Sequence, residues 1–384
     1  MKRDGLVIVA LSGGVDSAVS AMLLRDAGHD VQCLHMSNWE DDGYCEAARD
    51  FQDARRVCGR LDLPLHRVNF SAQYKERVFA DFLDELRRGR TPNPDVLCNR
   101  EIKFGTLREY ARRLGGKWLA TGHYARLKRG RHGERRRHGR IELHKGRDPG
   151  KDQSYFLHAL EECDFRQALF PLGEMLKSDV RKLARDAGLP VAEKKDSTGI
   201  CFVGERPFSR FIGEYLPTNP GAIKDPEGRT LGTHQGLAFY TLGQRRGLGI
   251  GGQADCPEGA WYVARKDLDA NELIVVQGTE HPALYRDQLT SGPMHWINEP
   301  PPEWSGNLPF TCSAKTRYRQ PDQACTVTRR RHGGVRLQFE QPQRAVTPGQ
   351  YVVLYQGSRC LGGATIESAE MRPNAHKEST WASG

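Results

Sequence analysis

Ser12-Gly13-Gly14-Val15-Asp16-Ser17 stands between an apolar run, Leu6 to Leu11, and a segment with helical periodicity. Two adjacent glycines let backbone amides turn toward an anion, and the N-terminus of the next helix adds its positive dipole end. The stretch lacks the spacing and the lysine of a Walker A loop, and it is not G-x-G-x-x-G. It therefore predicts another kind of phosphate-binding loop, with Asp16 as a candidate magnesium ligand. The structural alternative is a Gly-Gly turn capped by Ser12, with Asp16 favouring the helix dipole.

On both sides of this loop, the first half of the chain alternates short apolar runs with segments of helical spacing. The runs with strand character are Leu6 to Leu11, Val31 to Met36, Leu65 to Phe70 and Trp118 to Thr121. Helical spacing covers the first helix to Gly28, then Ala47 to Leu61, Tyr74 to Leu86 and Phe104 to Leu114. This order predicts an α/β domain with a Rossmann-like parallel sheet, and a ligand at the carboxyl ends of its strands.

The composition changes after about residue 205, since 14 of the 21 prolines lie at or beyond Pro217. Turn formers and short strands at this density favour β-rich units. We expect a catalytic domain over 1–205, a small β-rich domain over 206–278, a C-terminal β-barrel over 282–370 and a disordered tail over 374–384. Barrel strands are expected near Cys325 to Arg329, Val335 to Phe339 and Tyr351 to Tyr355.

The formal net charge of +9 indicates a polyanionic partner, with nucleic acid first, although a merely basic protein is the alternative. The run 128–140 is predicted to be a basic loop, either a solvated segment or an RNA clamp. No apolar stretch near the start approaches the ~20 residues of a membrane span, and the N-terminus does not resemble a signal peptide. We therefore expect a cytoplasmic protein without a membrane partner.

Ten cysteines occur without any C-x-x-C spacing, which argues against zinc and iron-sulfur sites. Two of them have polar neighbours: Cys98 in Thr91–Arg100, and Cys201 in Lys195–Phe202. The first segment is predicted to be a loop because two prolines preset its backbone, and lysines before Cys201 indicate a field that holds a thiolate. Two such thiols brought together can exchange sulfur. The alternative for each is a buried small side chain.

The glycine loop resembles the pyrophosphate loop of the PP-loop ATP pyrophosphatase superfamily, whose members adenylate a substrate oxygen. Further stretches resemble its tRNA 2-thiouridylase family: Leu34–Met36, Asn93–Asp95 with Cys98, Thr121–Tyr124, Lys151–Phe156, Asp196–Phe202, Thr241–Arg245, Lys315–Arg319 and Thr347–Gln350. The resemblance implies an ATP-dependent sulfurtransferase. It would adenylate the C2 oxygen of the wobble uridine in tRNA and replace that oxygen with persulfide-derived sulfur, giving 2-thiouridine. The run 128–140 is more arginine-rich than the family needs.

The same resemblance implies the residues of the site. ATP, with Mg²⁺, would be bound by Ala10, Leu11, Ser12, Gly13, Gly14, Val15, Asp16, Ser17, Met36 and Gly122, the last two near the adenine and ribose. Asn93, Pro94 and Asp95 would meet the flipped base, with Asp95 as general acid or base. Other tRNA contacts would come from His123, Lys151, Asp152, Gln153, Arg317, Tyr318 and Gln350. Cys201 would carry a persulfide from a sulfur-carrier protein or cysteine desulfurase, and Cys98 would be the nucleophile that releases sulfide or forms a transient Cys98–Cys201 disulfide.

Two other functions stay open. One is a PP-loop ligase that delivers ammonia, which would leave both cysteines idle and for which the sequence has no glutaminase segment. The other is a nucleotide-gated RNA-binding protein without turnover, which needs neither Cys98 nor Asp95. At single positions, the alternatives are a capped loop histidine for His123 and a solvated barrel edge for Arg317 with Tyr318.

Overall fold

The computed structural model describes residues 4–39, 46–130, 140–196, 208–250 and 259–372. Its strands are β1 Val7–Ala10, β2 Val31–Ser37, β3 Leu65–Asn69, β4 Trp118–Ala120, β5 Ala125–Arg129, β6 Ile141–Lys145, β7 Ala168–Leu169, β8 Gly221–Lys224, β9 Thr230–His234, β10 Trp261–Asp267, β11 Glu272–Gln277, β12 Tyr285–Pro293, β13 His295–Trp296, β14 Phe310–Lys315, β15 Gln323–Arg329, β16 Gly334–Arg344, β17 Tyr351–Gln356 and β18 Arg359–Glu370.

The α-helices are α1 Val15–Asp26, α2 Glu46–Leu61, α3 Ser71–Tyr74, α4 Ala80–Arg87, α5 Pro94–Leu97, α6 Arg108–Arg113, α7 Lys177–Asp186, α8 Phe208–Gly213 and α9 Pro302–Ser305. Two π-helical segments, Lys75–Phe79 and Cys98–Leu107, join α3 to α4 and α5 to α6. Short 3₁₀ segments lie at Ser154–Leu157, Leu237–Phe239, Pro282–Leu284 and Arg331–Gly333.

The N-terminal sheet has the order β3-β2-β1-β4-β7, and every pairing in it is parallel. Val7 and Val9 of β1 pack on the face covered by α1, α2 and α7, whereas Ile8 packs on the face covered by α4 and the second π-helical segment. Residues on both faces are fully buried, which explains the unbroken apolar run. The predicted Rossmann-like sheet is confirmed.

The segment predicted to be a loop, Thr91–Arg100, is mostly helical. Asn93 accepts a hydrogen bond on Oδ1 from the Asp95 amide at 3.2 Å, and Pro94 occupies the first helical position of α5. Both are strong helix-start residues, because the cap satisfies one free amide and proline has none to satisfy. The loop prediction is therefore wrong from Pro94 onward.

Two β-rich units follow. The first is a four-stranded sheet in the order β10-β11-β8-β9. In the second, β12, β16, β15, β14, β17 and β18 pair in turn, and β18 pairs back to β12, which closes a six-stranded barrel. The predicted barrel and its three expected strands are confirmed.

A hairpin from the first half of the chain extends this barrel sheet. Strands β5 and β6 pair with each other, and His144 of β6 lies opposite Arg359 of β18. Lys128 and Arg129 belong to β5, so the predicted basic loop 128–140 is wrong at its beginning. Its residues 131–139 lie outside the described ranges, as do Cys201 and the tail 374–384. Among described helices, none combines the length and apolar character of a membrane span.

Candidate nucleotide and thiol site

The glycine loop is held in shape by its own serines. Ser17 Oγ accepts from the Ser12 amide and donates to the Gly14 carbonyl, each at 3.1 Å. Gly13 has φ +82°, and a β-carbon there would lie 2.3 Å from the Asp50 carbonyl oxygen. Only glycine fits this position, because the conformation is left-handed and a backbone oxygen blocks the side chain. The loop thus presents backbone amides at the start of α1.

The other residues predicted to bind ATP surround this loop at the carboxyl ends of strands. Ala10 ends β1, buried Leu11 and Val15 flank the loop, and Met36 is half-buried near the end of β2. Gly122 follows β4, and a β-carbon on it would lie 3.0 Å from the Ser17 amide nitrogen. The structure therefore places Gly122 directly against the loop and the first turn of α1.

Asp16 belongs to a network of charges that sequence reasoning missed. Lys177 Nζ donates to Asp16 Oδ1 at 2.7 Å and Oδ2 at 2.8 Å, and contacts Asp196 Oδ1 at 2.7 Å. The Tyr124 hydroxyl donates to Asp16 Oδ1 at 2.7 Å. Asp196 also accepts from Lys151 at 2.6 Å and from Arg181 at 2.8 Å. One ammonium therefore joins the glycine loop to the chain just before residue 197.

This donor set does not fit a magnesium ion held directly by Asp16. Both carboxylate oxygens already accept from Lys177, and an ion there would have to displace that ammonium. No cluster of three or more His, Cys, Asp or Glu suited to a metal occurs within the described ranges.

A second lysine, Lys194, also hydrogen-bonds to the glycine loop. Lys194 Nζ donates to the Gly13 carbonyl at 3.1 Å and to Asp50 and Asp53, each at 2.6 Å. Burial lowers the pKa of Lys194, but these two carboxylates outweigh it and raise the pKa, so the residue stays charged. The sequence predicts that the lysines before Cys201 stabilise its thiolate, whereas in the structure Lys194 hydrogen-bonds to the glycine loop.

Asp95 is half-buried in α5, two residues after the capping Asn93 and next to buried Pro94. Burial raises the pKa of its carboxyl, and the Lys103 charge partly offsets that rise. Desolvation disfavours the charged form of a carboxylate, which moves its pKa toward neutrality. A carboxyl in this state can exchange a proton with a bound ligand.

Cys98 begins the second π-helical segment and is only 3% exposed. The Asn38 side chain, just past the end of β2, donates Nδ2–H toward Cys98 Sγ at 3.9 Å. Asn99, also buried, donates to the Phe156 carbonyl at 3.2 Å. Asp95 and Cys98 are therefore one helical turn apart at the carboxyl edge of the sheet. Their predicted partner Cys201 lies outside the described residues.

Three predicted tRNA contacts, Lys151, Asp152 and Gln153, make hydrogen bonds within the protein. Lys151 pairs with Asp196, as described above. Asp152 is buried, accepts from the Gly146 and Ser154 amides at 3.1 Å, and pairs with Lys315 of β14 at 3.4 Å. Gln153 Oε1 accepts from the Tyr124 amide at 3.0 Å. This tripeptide connects the glycine-loop network to the barrel.

His123 is 7% exposed, shares a 2.7 Å hydrogen bond with Thr121 Oγ1 and lies beside the rings of Phe104 and Phe170. Burial, helped by the Lys103 charge, holds the pKa of His123 well below its usual value, so the ring is neutral. This environment is that of a capped loop histidine, the alternative given above.

The barrel residues predicted to contact tRNA are half-buried near the junction with the N-terminal domain. Arg317 donates to the Ala345 carbonyl at 2.5 Å, and burial lowers its pKa. The Tyr318 ring lies 4.4 Å from that of Phe156. Gln350 Nε2 donates to the Thr91 carbonyl at 2.7 Å. These contacts differ from those of a solvated barrel edge, because each of the three side chains packs against protein.

Lys177 and Lys103 are functional candidates that the sequence did not reveal. Neither lies in a recognised motif, and Lys177 is 161 residues from Asp16. A helix beginning with lysine carries no sequence signal for a phosphate loop. Tyr124 ends the stretch Thr121–Tyr124, and Lys194 is one of the lysines before Cys201, but neither stretch indicates the contacts that these side chains make with Asp16 and Gly13.

The fold and the loop define an α/β protein of the Rossmann-like class, with a glycine-rich loop after β1 and two β-rich units that follow it in the chain. Family models match along the chain: a tRNA methyl transferase HUP domain at 5–205, a tRNA methyl transferase PRC-barrel domain at 209–277 and an aminomethyltransferase beta-barrel domain at 286–366. The chain belongs to the tRNA-specific 2-thiouridylase (MnmA) family, as its relatives at more than 50% identity demonstrate.

The tRNA-specific 2-thiouridylase MnmA of Hahella chejuensis is 54% identical over 370 residues, which cover 95% of this chain and 98% of that protein. The protein of the same name from Chromohalobacter salexigens is 54% identical over 94% of this chain and 92% of its own length. A solved 4-thiouridine synthetase–RNA complex with bound ATP covers 53% of this chain and 46% of that chain at 18% identity, with a TM-score of 0.35.

Proposed function

We propose that this protein is a tRNA-uridine 2-sulfurtransferase. It consumes ATP to adenylate the C2 oxygen of the wobble uridine and replaces that oxygen with sulfur from a persulfide. Full-length relatives named tRNA-specific 2-thiouridylase support this proposal, as does the glycine loop. The observation that carries it is the shared ammonium: Asp196, five residues before Cys201, holds the same Lys177 as Asp16 of the loop. This shared contact supports a sulfur-transfer segment that begins next to the nucleotide-binding loop.

The adenylation step uses the glycine loop. Its backbone amides and the N-terminus of α1 bind the β- and γ-phosphates, with Met36 and Gly122 lining the remainder of the nucleotide. The C2 oxygen of uracil attacks the α-phosphorus of ATP. Pyrophosphate is the leaving group, and the loop binds it as it forms. Mg²⁺ is present as the counterion that ATP carries. The C2 oxygen of uracil is a poor leaving group by itself, whereas after adenylation the same oxygen departs readily as part of AMP.

Asn93, Pro94 and Asp95 meet the flipped base. The Asp95 carboxyl, with its raised pKa, exchanges a proton with the base edge during adenylation. Lys103 tunes this carboxyl through its charge. The rigidity of α5, which is capped by Asn93 and begun by Pro94, fixes where the carboxyl stands.

Sulfur transfer uses Cys98 and Cys201. Cys201 receives a persulfide from a sulfur-carrier protein or cysteine desulfurase. In one route, Cys98 attacks Cys201 Sγ and releases hydrosulfide, which displaces AMP at C2. In the other, the persulfide sulfur displaces AMP, and Cys98 then attacks Cys201 Sγ to free 2-thiouridine. Both routes end with a Cys98–Cys201 disulfide, which a cellular thiol reduces.

Both flanks of the Cys201 segment support this meeting of thiols. Asp196 lies at the loop, and chain geometry limits its separation from Cys201 to about 18 Å. On the other side, the Phe211 ring of α8 packs 5.7 Å from that of Trp39, the neighbour of Asn38. Asn38 contacts Cys98 directly. The described residues on the two sides of 197–207 thus lie near the glycine loop and near the surroundings of Cys98.

We propose roles for the remaining predicted residues as well. His123, Lys151, Asp152, Gln153, Arg317, Tyr318 and Gln350 act at the tRNA junction, and the buried members position the others. We propose the cytoplasm as the location, since tRNA is there. We also propose a role for each domain. Domain 1–205 is catalytic, domain 206–278 connects it to the barrel, and the barrel, 282–370, contacts tRNA.

A mercury-gel assay tests the proposed function. Purified protein, tRNA, ATP with Mg²⁺ and either sulfide or a persulfide donor should give a retarded band of thiolated tRNA. The control omits ATP and should give none. The absence of a retarded band under every sulfur supply would reject the proposal.

A further inference from the structure

Two cysteines that the proposed sulfur chemistry does not use face each other on the barrel. Cys312 of β14 lies directly opposite Cys325 of β15 in an antiparallel pair, and their Sγ atoms are 3.8 Å apart. Residues directly opposite in such a pair have Cα atoms about 4.5–5.5 Å apart, inside the range of about 4.4–6.8 Å that a disulfide spans. A bond between these two thiols therefore needs only a small movement of the side chains.

The two thiols differ in their access to solution. Cys325 is buried in the barrel core, whereas Cys312 is half-buried and lines a groove of about 420 Å³ together with Thr326. A second pair of cysteines in contact, Cys33 and Cys58 of the N-terminal domain, is buried on both sides. Of these two pairs, the barrel pair is the one that a small molecule can reach.

We propose that Cys312 and Cys325 form an oxidisable dithiol, a modification site separate from Cys98 and Cys201, which a low-molecular-weight disulfide such as oxidised glutathione converts into a cross-strand disulfide. The Cys312 thiolate attacks one sulfur of the reagent, forms a mixed disulfide and displaces one glutathione thiolate. The Cys325 thiolate then attacks Cys312 Sγ and displaces the second. Both cysteine protons pass to the displaced thiolates, so two cysteines are oxidised while one glutathione disulfide is reduced to two thiols.

The surroundings of Cys312 make the first of these steps slow and the second fast. The hydrogen bond with Cys325, and after it burial, raise the pKa of Cys312. Because the thiolate is the nucleophile, the pair reacts slowly at neutral pH and stays reduced at a low concentration of disulfide. Once the mixed disulfide has formed, Cys325 is already in contact with the sulfur that it attacks, and this proximity favours ring closure.

The new bond would close a ring at the base of the β14–β15 hairpin. The ring encloses the turn 316–322, which contains Arg317 and Tyr318 and is held by a 2.8 Å hydrogen bond from the Thr316 amide to Gln320 Oε1. A cross-link mainly restricts the open conformations of the chain that it encloses, so oxidation should slow the opening of this turn. Its bearing on tRNA contact rests on the proposed function, whereas the dithiol itself does not.

Peptide mapping of the full chain tests the proposal. The protein is incubated with oxidised glutathione at mildly alkaline pH, alkylated in denaturant and digested for mass spectrometry. Most chains should yield a linked Cys312–Cys325 peptide pair, while Cys33 and Cys58 are recovered alkylated. In Cys325→Ser, Cys312 should stop at the mixed disulfide with glutathione. In Cys312→Ser, Cys325 should stay unmodified, because the reagent does not reach it.

Alkylated Cys312 beside glutathione-modified Cys163, an exposed cysteine that shows the reagent to be active, would overturn the proposal. Linkage of Cys33 to Cys58 to the same extent would also overturn it, since this would indicate oxidation of unfolded chains. The wild-type map decides even if neither serine variant folds. The mapping uses neither ATP nor tRNA, so its failure is distinct from failure of the mercury-gel assay.

Amide hydrogen exchange tests the restraint on the hairpin. The turn 316–322 should exchange at least about three-fold more slowly in the oxidised protein than in the reduced protein. The control is the β15–β16 turn, Arg331–Gly333, which lies outside the ring and should exchange equally in both forms. Equal exchange of 316–322 in the two forms would overturn the restraint.

Discussion

Gln350 of the barrel donates Nε2–H to the carbonyl oxygen of Thr91 at 2.7 Å. The Thr91 amide in turn donates to the Pro348 carbonyl at 2.9 Å, so the barrel loop and the start of the Asp95 segment are joined by two hydrogen bonds. Gly349 lies so close that a β-carbon on it would be 2.9 Å from the Thr91 amide nitrogen. The C-terminal barrel therefore helps to position the residues proposed to meet the base.

Gln350→Ala should lower kcat/KM for tRNA by about five-fold, the equivalent of the roughly 1 kcal/mol that one hydrogen bond contributes. The affinity for pyrophosphate should stay unchanged, because the glycine loop is elsewhere. Gln356→Ala, at an exposed position on the same barrel, is the control. Equal kinetics in the two variants would show that the barrel loop does not position Asp95.

Asp16→Ala should abolish pyrophosphate release in the presence of ATP and tRNA. Without the Asp16 carboxylate, Lys177 loses two of its three contacts and pairs with Asp196 alone. Release is measured with a coupled pyrophosphatase assay, and Asp179→Ala, which removes an exposed carboxylate of α7, should remain active. Undiminished release by the Asp16 variant would mean that the ATP site lies elsewhere.

The acid limb of the pH–rate profile should report Asp95. If Asp95 acts as a base, it works ionised, so the rate should fall as the pH drops through its raised pKa, above the ordinary 3.8. The Lys103 charge lowers that pKa, and Lys103→Met should therefore move the limb to higher pH. Lys182→Met should leave it in place. A rate that rises toward low pH would assign Asp95 as the general acid instead.

Asp196→Asn should destabilise the protein at pH 7 by about 2 kcal/mol. Burial raises the pKa of Asp196, but hydrogen bonds from Lys151 and Lys177 outweigh it and bring the pKa to about 2, from 3.8. A lowered pKa stabilises the fold above the unfolded value and loses that effect as the pH falls from about 4 to 2. Thermal unfolding of both proteins should therefore converge in that range. A difference independent of pH would assign the loss to packing.

Much of the N-terminal domain follows from periodicity alone. The runs Leu6–Leu11 and Val31–Met36 predicted β1 and β2, and the Gly-Gly stretch predicted a tight loop between β1 and α1, because both signals are local. The helix at Pro94 was equally predictable, since Asn93 and Pro94 form a standard start signal. The two prolines also favour a loop, and this second signal outweighs the helix start in the sequence prediction.

The charge network could not be predicted in the same way. Lys177 reaches Asp16 only because α7 packs beside α1, and β6 joins β18 across more than 200 residues. Long-range pairings of this kind leave no local pattern. The resemblance implies tRNA contacts for Asp152 and His123, whereas in the structure both side chains are buried and hydrogen-bonded within the protein.

Disulfide mapping after a single turnover tests the central claim most directly. The protein is loaded at Cys201 with a persulfide, mixed with ATP and tRNA without reductant, alkylated and digested for mass spectrometry. The account predicts a peptide pair linked through Cys98 and Cys201, formed in step with 2-thiouridine and absent from Cys98→Ser. The account would be contradicted if 2-thiouridine formed and all of the Cys98 were then recovered in the alkylated form, since this would mean that Cys98 had stayed a free thiol.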